Sequence, residues 1–317
     1  TWIARVLGDA ALAEALVQAW RDYGGLLVLR GLTGLSPEDF VSLSKHFGEL
    51  ELELDQSKQK YKVGDVDGVM RLGNTRDASG SLTAAFAVDA PLPPSGSPQY
   101  READRKPVWH TDQTYREQPP VGSLLLCRQA PPEGAATCWA DTHSAFEALD
   151  EATRERLERL ECVCSLAHHD AKVHKYSPDY PVLTPEQRAA NPPRRVPVVL
   201  RHPLTGRRAL YGVNSSTCEV VPKGAHVSQE QMDRYDLEAV EHPSVQRELR
   251  SILPFVTSDR FTVKWQWSPG DVVVWDNRCT IHCATGFEAT KHTREMWRTT
   301  LAADLSADRP RAADSPS

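Results

Sequence analysis

The chain has 317 residues, 40% hydrophobic and 25% charged, with a formal net charge of −6 at pH 7. That balance is ordinary for a globular protein, and the acidic surplus leaves no electrostatic footprint for nucleic acid. No apolar run approaches the roughly 20 residues that span a bilayer, and the opening TWIARVLGDA lacks the basic start and apolar centre of a secretion signal; the cytoplasmic setting expected for the chain rests on its cysteines, below.

In chain order, Asp9 is placed to cap a helix over AALAEALVQAWRDYG, stopped by Gly24 and Gly25. LLVLRG follows as a short apolar strand. Ser36, Pro37 and Asp39 supply an N-cap, a first-turn proline and an acidic third position for the helix PEDFVSLSKHFG, which ends at Gly48. GVMRLG reads as a strand. Residues 74–107 are rich in Gly, Pro, Ser and charge and read as a long, lid-like loop.

From Trp109 onward short β-like runs dominate: WHTDQTY, GSLLLCRQA, ATCWADT, CVCSLAH, VPVVLRH, RRALYGV, FTVKWQW, DVVVWD, TIHCAT and WRTTLA. SAFEALDEATRERLERL and SQEQMDRYDLEAVEHPSVQRELRSI read as helices between strands. The proline-rich stretch AKVHKYSPDYPVLTPEQRAANPPRR makes residues 168–195 a second candidate lid, on which His168, His169 and His174 are read as surface histidines. The expected fold is mainly β with flanking helices, a barrel or jelly roll. It forms a single domain over 1–304, followed by a disordered tail at 305–317. The cysteines (Cys127, Cys138, Cys162, Cys164, Cys218, Cys279 and Cys283) are odd in number and contain no CxxC, which points to buried, reduced thiols.

The chemistry starts at VWHTDQTY. On a strand, His110 and Asp112 share one face, with Thr111 opposite. The pair alone is a weak signal. His282, alone, is an ordinary core or surface histidine, and Arg294 and Arg298, alone, are a solvated charged face. Together, two histidines and one carboxylate make a facial triad with three adjacent positions open, the arrangement that suits non-haem Fe(II). A 2-oxo acid chelates two of those positions and leaves one for O2. Its far carboxylate calls for a guanidinium fork, and Arg294 follows His282 by twelve residues.

The stretches WHTDQTY, PPEGAATCWADTHSAFEAL, GDVVVWDNRCTIHCA and REMWRTTLA, in this order, resemble the taurine dioxygenase and 2,4-dichlorophenoxyacetate dioxygenase family. NPPRRVPVVLRHPLTGRRALY and GGLLVLRGL extend the likeness from about Asp9 to Asp304. The resemblance implies a double-stranded β-helix core, with His110, Asp112 and His282 as catalytic iron ligands. It implies that Thr137 contacts 2-oxoglutarate, although this chain reads GAAT where the family often has GGDT. Arg294 would pair with the distal carboxylate of 2-oxoglutarate, and Arg298 would hold the anionic group of the primary substrate.

Lys106 stands where taurine dioxygenase has a substrate-contacting asparagine, which argues against taurine itself. Retention of Asp112, which related halogenases replace with Gly or Ala, implies hydroxylation or another oxidation rather than halogenation. The products would be succinate, CO2 and a hydroxylated, in some cases cleaved, small molecule. Arg298 favours a carboxylate, sulfonate or phosphate as substrate. The six arginines of 188–208 read either as a solvated basic strand pair or as a funnel for such an anion. Family members are often dimers or tetramers, so a homo-oligomer is a candidate assembly. Two rival readings stand beside this one. A zinc enzyme on the same donors explains the triad but not Arg294 or Thr137. A non-catalytic jelly-roll binding protein would have kept the site only by descent.

Overall fold

The structure is a computed structural model that describes residues 2–53, 56–84, 109–176, 181–289 and 291–303. Most of the loop expected at 74–107, together with Lys106 and the tail at 305–317, lies outside the described residues.

In chain order the elements are α1 (Trp2–Gly8), α2 (Ala10–Asp22), β1 (Leu26–Leu29), α3 (Pro37–Ser44), β2 (Met70–Gly73), β3 (Gly122–Gln129), β4 (Thr137–Asp141), α4 (Thr142–Glu147) and α5 (Glu151–Glu158). They continue as β5 (Leu160–Cys164), α6 (Leu166–Tyr176), α7 (Pro185–Ala190), β6 (Arg194–Pro197), β7 (Val199–Arg201), β8 (Arg208–Leu210), β9 (Thr217–Pro222) and α8 (Gln229–Glu238). The last are α9 (Pro243–Val245), α10 (Leu253–Val256), β10 (Thr262–Trp265), β11 (Val272–Asp276), β12 (Thr280–Ala284) and β13 (Glu295–Leu301). Among the described residues, no helix is long and apolar enough to cross a membrane.

The described residues fall into two compact units. The first comprises those of Thr1–Val108, Pro120–Trp139 and Val263–Asp308, the second those of Trp109–Pro119 and Ala140–Thr262.

The first unit is built on a five-stranded sheet of order β1-β11-β3-β13-β2, antiparallel at every pairing. Alternation along β3 and β11 sends Leu124, Leu126, Val272 and Val274 into a core with Trp20, Phe40 and Leu43 from α2 and α3. The intervening Leu125, Cys127, Val273 and Trp275 pack on the other face with Trp139, Trp267 and Met296. Burial on both faces is why SLLLC and VVVW read as unbroken apolar runs. The predicted caps are in place. Asp9 accepts from Leu12 N at 3.0 Å, and Ser36 and Asp39 form a reciprocal capping box. β4 runs between β10 and β12 in a second, three-stranded sheet.

The second unit holds the antiparallel sheet β6-β5-β9 and the two-stranded ladder β7-β8. Val163, Cys218 and Val221 pack under Met232 and Tyr235 of α8.

Several expectations are corrected. No sheet among the described residues closes into a barrel; the architecture is mixed, helices with antiparallel sheets. WHTDQTY is not a strand. It makes one bridge, at His110, and then turns, with Gln113 at φ 48°. Its β-forming residues are used in a turn, where tertiary contacts override propensity. The segment 168–195 is largely helical, carrying α6 and α7. Pro185 there is a first-turn proline behind a Thr184–Gln187 capping box, not a mark of irregular chain. The helix expected over 144–160 is two, because the Asp150 side chain caps α5 by accepting from Thr153 N. The one expected over 228–252 ends at Ala239, which is left-handed at φ 50°, and resumes as shorter turns. α1 and β9 were not foreseen.

Candidate metal centre and cosubstrate site

His110 and Asp112 meet in the second unit. His110 Nε2 lies 3.7 Å from Asp112 Oδ1. Thr111, between them, is fully buried and fixed through its backbone. Its N–H donates to the Val213 carbonyl at 2.7 Å, and its own carbonyl accepts from Asn214 Nδ2. The left-handed Gln113 then turns the chain away. The two donors therefore flank one residue anchored at both its N–H and its C=O. Asp112 is 6% exposed, and a carboxylate that deep needs a compensating cation or donors. An imidazole and a carboxylate directed to one place fit a divalent metal.

The remaining predicted residues belong to the first unit. His282 is buried on β12, its ring 5.0 Å from that of Trp275. The turn that launches β12 is WDNR. Arg278 grips Asp276 with Nε at 2.9 Å and Nη2 at 2.6 Å, both side chains buried. Asn277 donates to the carbonyls of Val121 and Pro120 and accepts from Trp275 Nε1 at 3.0 Å. This polar knot sets where β12, and so His282, begins.

Thr137 heads β4. Its hydroxyl oxygen accepts from Trp267 Nε1 at 2.9 Å, which leaves its own proton to be donated elsewhere. The preceding turn holds Gly134 at φ 73° and Ala135 at φ 50°, so the GAAT variant forces an alanine into a backbone conformation that glycine adopts without strain.

Arg294 is 2% exposed, among the largest fully buried side chains. Its backbone is clamped by Asn74, whose Oδ1 accepts from Arg294 N at 2.8 Å and whose N–H donates to Arg294 O at 3.2 Å. The guanidinium's charge is felt at Cys127, whose thiol burial pushes up to about 12 while Arg294 pulls the other way. Arg298, half-buried on β13, donates from Nη2 to Ser123 Oγ at 2.9 Å and lies over the Trp275 ring at 5.8 Å. Arg298 and His282 thus flank the same indole.

Two other expectations resolve within the second unit. Of the arginines of 188–208, Arg194, Arg195, Arg207 and Arg208 form ion pairs with Glu117, Glu161, Glu147 and Glu158. That is the charge-balanced strand surface rather than a funnel. His168 and His169 are not surface residues. His168 is wholly buried with Nδ1 2.8 Å from the Tyr235 carbonyl, and His169 Nδ1 lies 2.6 Å from Ser215 Oγ. Burial lowers both to about 4, so both are neutral at pH 7.

Sequence reasoning missed Asn74, Ser123, Asn214, Trp267 and Trp275. Asn214 left a trace, in that NSS interrupts the apolar strand-like run ALYGV with turn-forming residues. The others become visible only when distant strands are paired.

Residues 4–300 match the family described as taurine catabolism dioxygenase TauD, TfdA family. The chain is similar to the (S)-phenoxypropionate/alpha-ketoglutarate-dioxygenase of Sphingobium herbicidovorans, 28% identical over 305 residues, covering 95% of this chain and 90% of the relative. It is similar to the alpha-ketoglutarate-dependent sulfate ester dioxygenase of Pseudomonas putida, 32% identical over 217 residues, covering 64% of this chain and 62% of the relative. The fold is that of AAD-2, solved in complex with Mn(II) and N-oxalylglycine, with a TM-score of 0.65 at 22% identity, covering 96% of this chain and 91% of that one. The chain belongs to the TauD/TfdA family of 2-oxoglutarate-dependent dioxygenases. It is an oxidoreductase whose cofactor is Fe(II) and whose cosubstrates are 2-oxoglutarate and O2.

Proposed function

We propose that His110, Asp112 and His282 hold the Fe(II), that Thr137 and Arg294 hold 2-oxoglutarate, and that the reaction hydroxylates a small anionic organic molecule. The observation that carries this is Arg294. A guanidinium 2% exposed, with its backbone clamped by Asn74, is pre-set to receive a planar carboxylate through two parallel hydrogen bonds. Thr137, its oxygen held by Trp267, offers its hydroxyl proton as a second donor. Bound at this donor set, Fe(II) with 2-oxoglutarate supplies chemistry that consumes O2, releases succinate and CO2 and hydroxylates a C–H bond. The residues themselves bind, orient and shield.

Phenoxypropionate and sulfate esters, named as substrates of relatives, are anions, which supports the same class here. Arg298, steered by Ser123 and Trp275, is the cation assigned to that anion. Lys106 joins it only by its place four residues before His110. The antiparallel sheets are read as the core of a double-stranded β-helix, in one catalytic domain over 1–304 that works in the cytoplasm; seven buried, unbridged thiols accord with that setting. A zinc enzyme on the same donors would give the buried Arg294 no task in the chemistry.

The test is succinate release, dependent on Fe(II) and 2-oxoglutarate, screened over carboxylates, sulfonates, sulfate esters and phosphates. Neither turnover nor 2-oxoglutarate binding anywhere in that panel would sink the reading. His110→Ala and Asp112→Ala are expected to abolish turnover. Arg294→Ala is expected to raise the 2-oxoglutarate concentration for half-saturation by about 30-fold or more, the loss typical of a buried charged hydrogen-bonding partner.

A further inference from the structure

The turn that carries His110 and Asp112 is closed by Arg116 N donating to the Gln113 carbonyl at 3.0 Å and tied down by Thr114 Oγ1 donating to Cys164 Sγ at 3.4 Å. The strand pairing ends at the single bridge at His110, and Gln113 at φ 48° takes the chain out of line immediately after the carboxylate. In a continuing ladder, the carbonyl of Thr111 would be paired by a backbone N–H. Here a side chain does this instead: Asn214 Nδ2 donates to it, next to the bond from Thr111 N to Val213 O at 2.7 Å. Asn214 is 6% exposed. The other end of its amide accepts from Ser216 N at 2.8 Å. Each end thus faces a group of fixed polarity, so the amide has one orientation.

The loop bearing Asn214 is itself anchored. The Ser216 carbonyl accepts from Ser165 N at 2.9 Å, where β5 meets β9. The Ser215 carbonyl accepts from Lys172 Nζ of α6 at 3.0 Å. Thr111, the residue between the two donor residues, is therefore held at its N–H, on the peptide from His110, and at its C=O, on the peptide to Asp112. With the peptide from His110 pinned at Val213, rotation of the Thr111–Asp112 peptide would swing the Cα–Cβ bond of Asp112 away from that of His110.

We propose that Asn214 is a positioning residue of the metal centre: its side-chain amide sets the plane of the Thr111–Asp112 peptide and thereby aims the Asp112 donor relative to that of His110. The inference rests on the ligand assignment proposed above. Removing partners that orient ligands typically costs about 10–100-fold in metal affinity. Asn214 also makes a local turn through Ser216, and the two roles separate by substitution. Asn214→Asp and Asn214→Ser both keep an oxygen that can accept from Ser216 N; at pH 8 the Asp carboxylate has no proton to donate to Thr111, and the Ser hydroxyl, one bond shorter than the amide, does not span from Ser216 N to the Thr111 carbonyl.

The experiment titrates Mn(II) into the full-length apo wild type and both variants at pH 8. It records the Co(II) absorption spectrum of each and follows thermal unfolding without metal. Expected are unfolding midpoints close to wild type, Mn(II) affinity weakened about 10–100-fold and an altered Co(II) spectrum. Folded variants with wild-type Mn(II) affinity and an unchanged spectrum would overturn the proposal. Failure of both variants to fold would overturn it too, by showing that the residue serves the fold. Should the wild type itself bind no Mn(II), the ligand assignment fails, an outcome distinct from either.

Discussion

A Cβ at Gly73 would stand 2.0 Å from the carbonyl oxygen of Arg294, and Gly73 sits at φ 134°. The glycine lets β2 close on the backbone of Arg294, the residue before β13. Gly73→Ala combines a backbone clash with a conformation L residues avoid, and is expected to cost about 2–4 kcal/mol in urea unfolding. Because the strain falls on Arg294, the 2-oxoglutarate concentration for half-saturation should rise as well. A stability loss with unchanged 2-oxoglutarate dependence would mean that Gly73 serves the sheet alone. Thr137 poses the complementary case. Thr137→Val removes the acceptor of the Trp267 indole and leaves that buried N–H unpaired, at a cost of about 1–3 kcal/mol, and it should weaken 2-oxoglutarate binding while leaving Mn(II) affinity intact.

At the scale of elements, the β11–β12 turn is the structural device of the first unit. Asp276 and Arg278 form a buried, two-pronged ion pair only two residues apart, and Thr280 Oγ1 adds a bond to the Asp276 carbonyl at 2.7 Å. Such a pair is weak evidence of net stability, but breaking it strands a buried charge. Asp276→Ala is expected to destabilise by about 3–5 kcal/mol, measured by urea unfolding, and to lower Mn(II) affinity through His282 at the far end of the turn. Stability within about 1 kcal/mol of wild type would show that Arg278 finds another partner. The elements the sequence misread share a cause. Pro185 and Asp150 are start signals that look like breaks, and WHTDQTY has strand composition but a backbone held by Val213 and Asn214.

For the whole molecule, stability should depend on pH through buried neutral histidine. His168 is wholly buried, and burial lowers it from 6.5 to about 4. A depressed histidine is neutral when folded, while the unfolded chain takes up a proton below pH 6.5. Its stabilising contribution is therefore complete above that pH and declines as pH falls toward about 4. Between pH 7.5 and 5 the loss from this one group is up to about 2 kcal/mol. Urea midpoints at those two pH values should differ for the wild type. They should differ less for His168→Gln, which stays uncharged; equal pH dependence in both would remove His168 as the source.

The residue types of the site were legible without coordinates. HTD, a later histidine and an arginine twelve residues on supply the two imidazoles, one carboxylate and a guanidinium that the proposed chemistry needs, and side-chain donor chemistry is written in the residues themselves. Helix starts and buried strands were equally plain, since caps and apolar runs are local signals. Tertiary structure alone decided the rest: that Arg294 is buried and its carbonyl packs on a glycine 221 positions earlier in the chain, that the described part of the lid-like segment is largely helix around neutral histidines, and that an asparagine a hundred residues away holds the carbonyl of Thr111, between the two proposed ligands. Burial, hydrogen-bond partners and pKa shifts depend on what the fold brings within about 4 Å, and no local pattern encodes that.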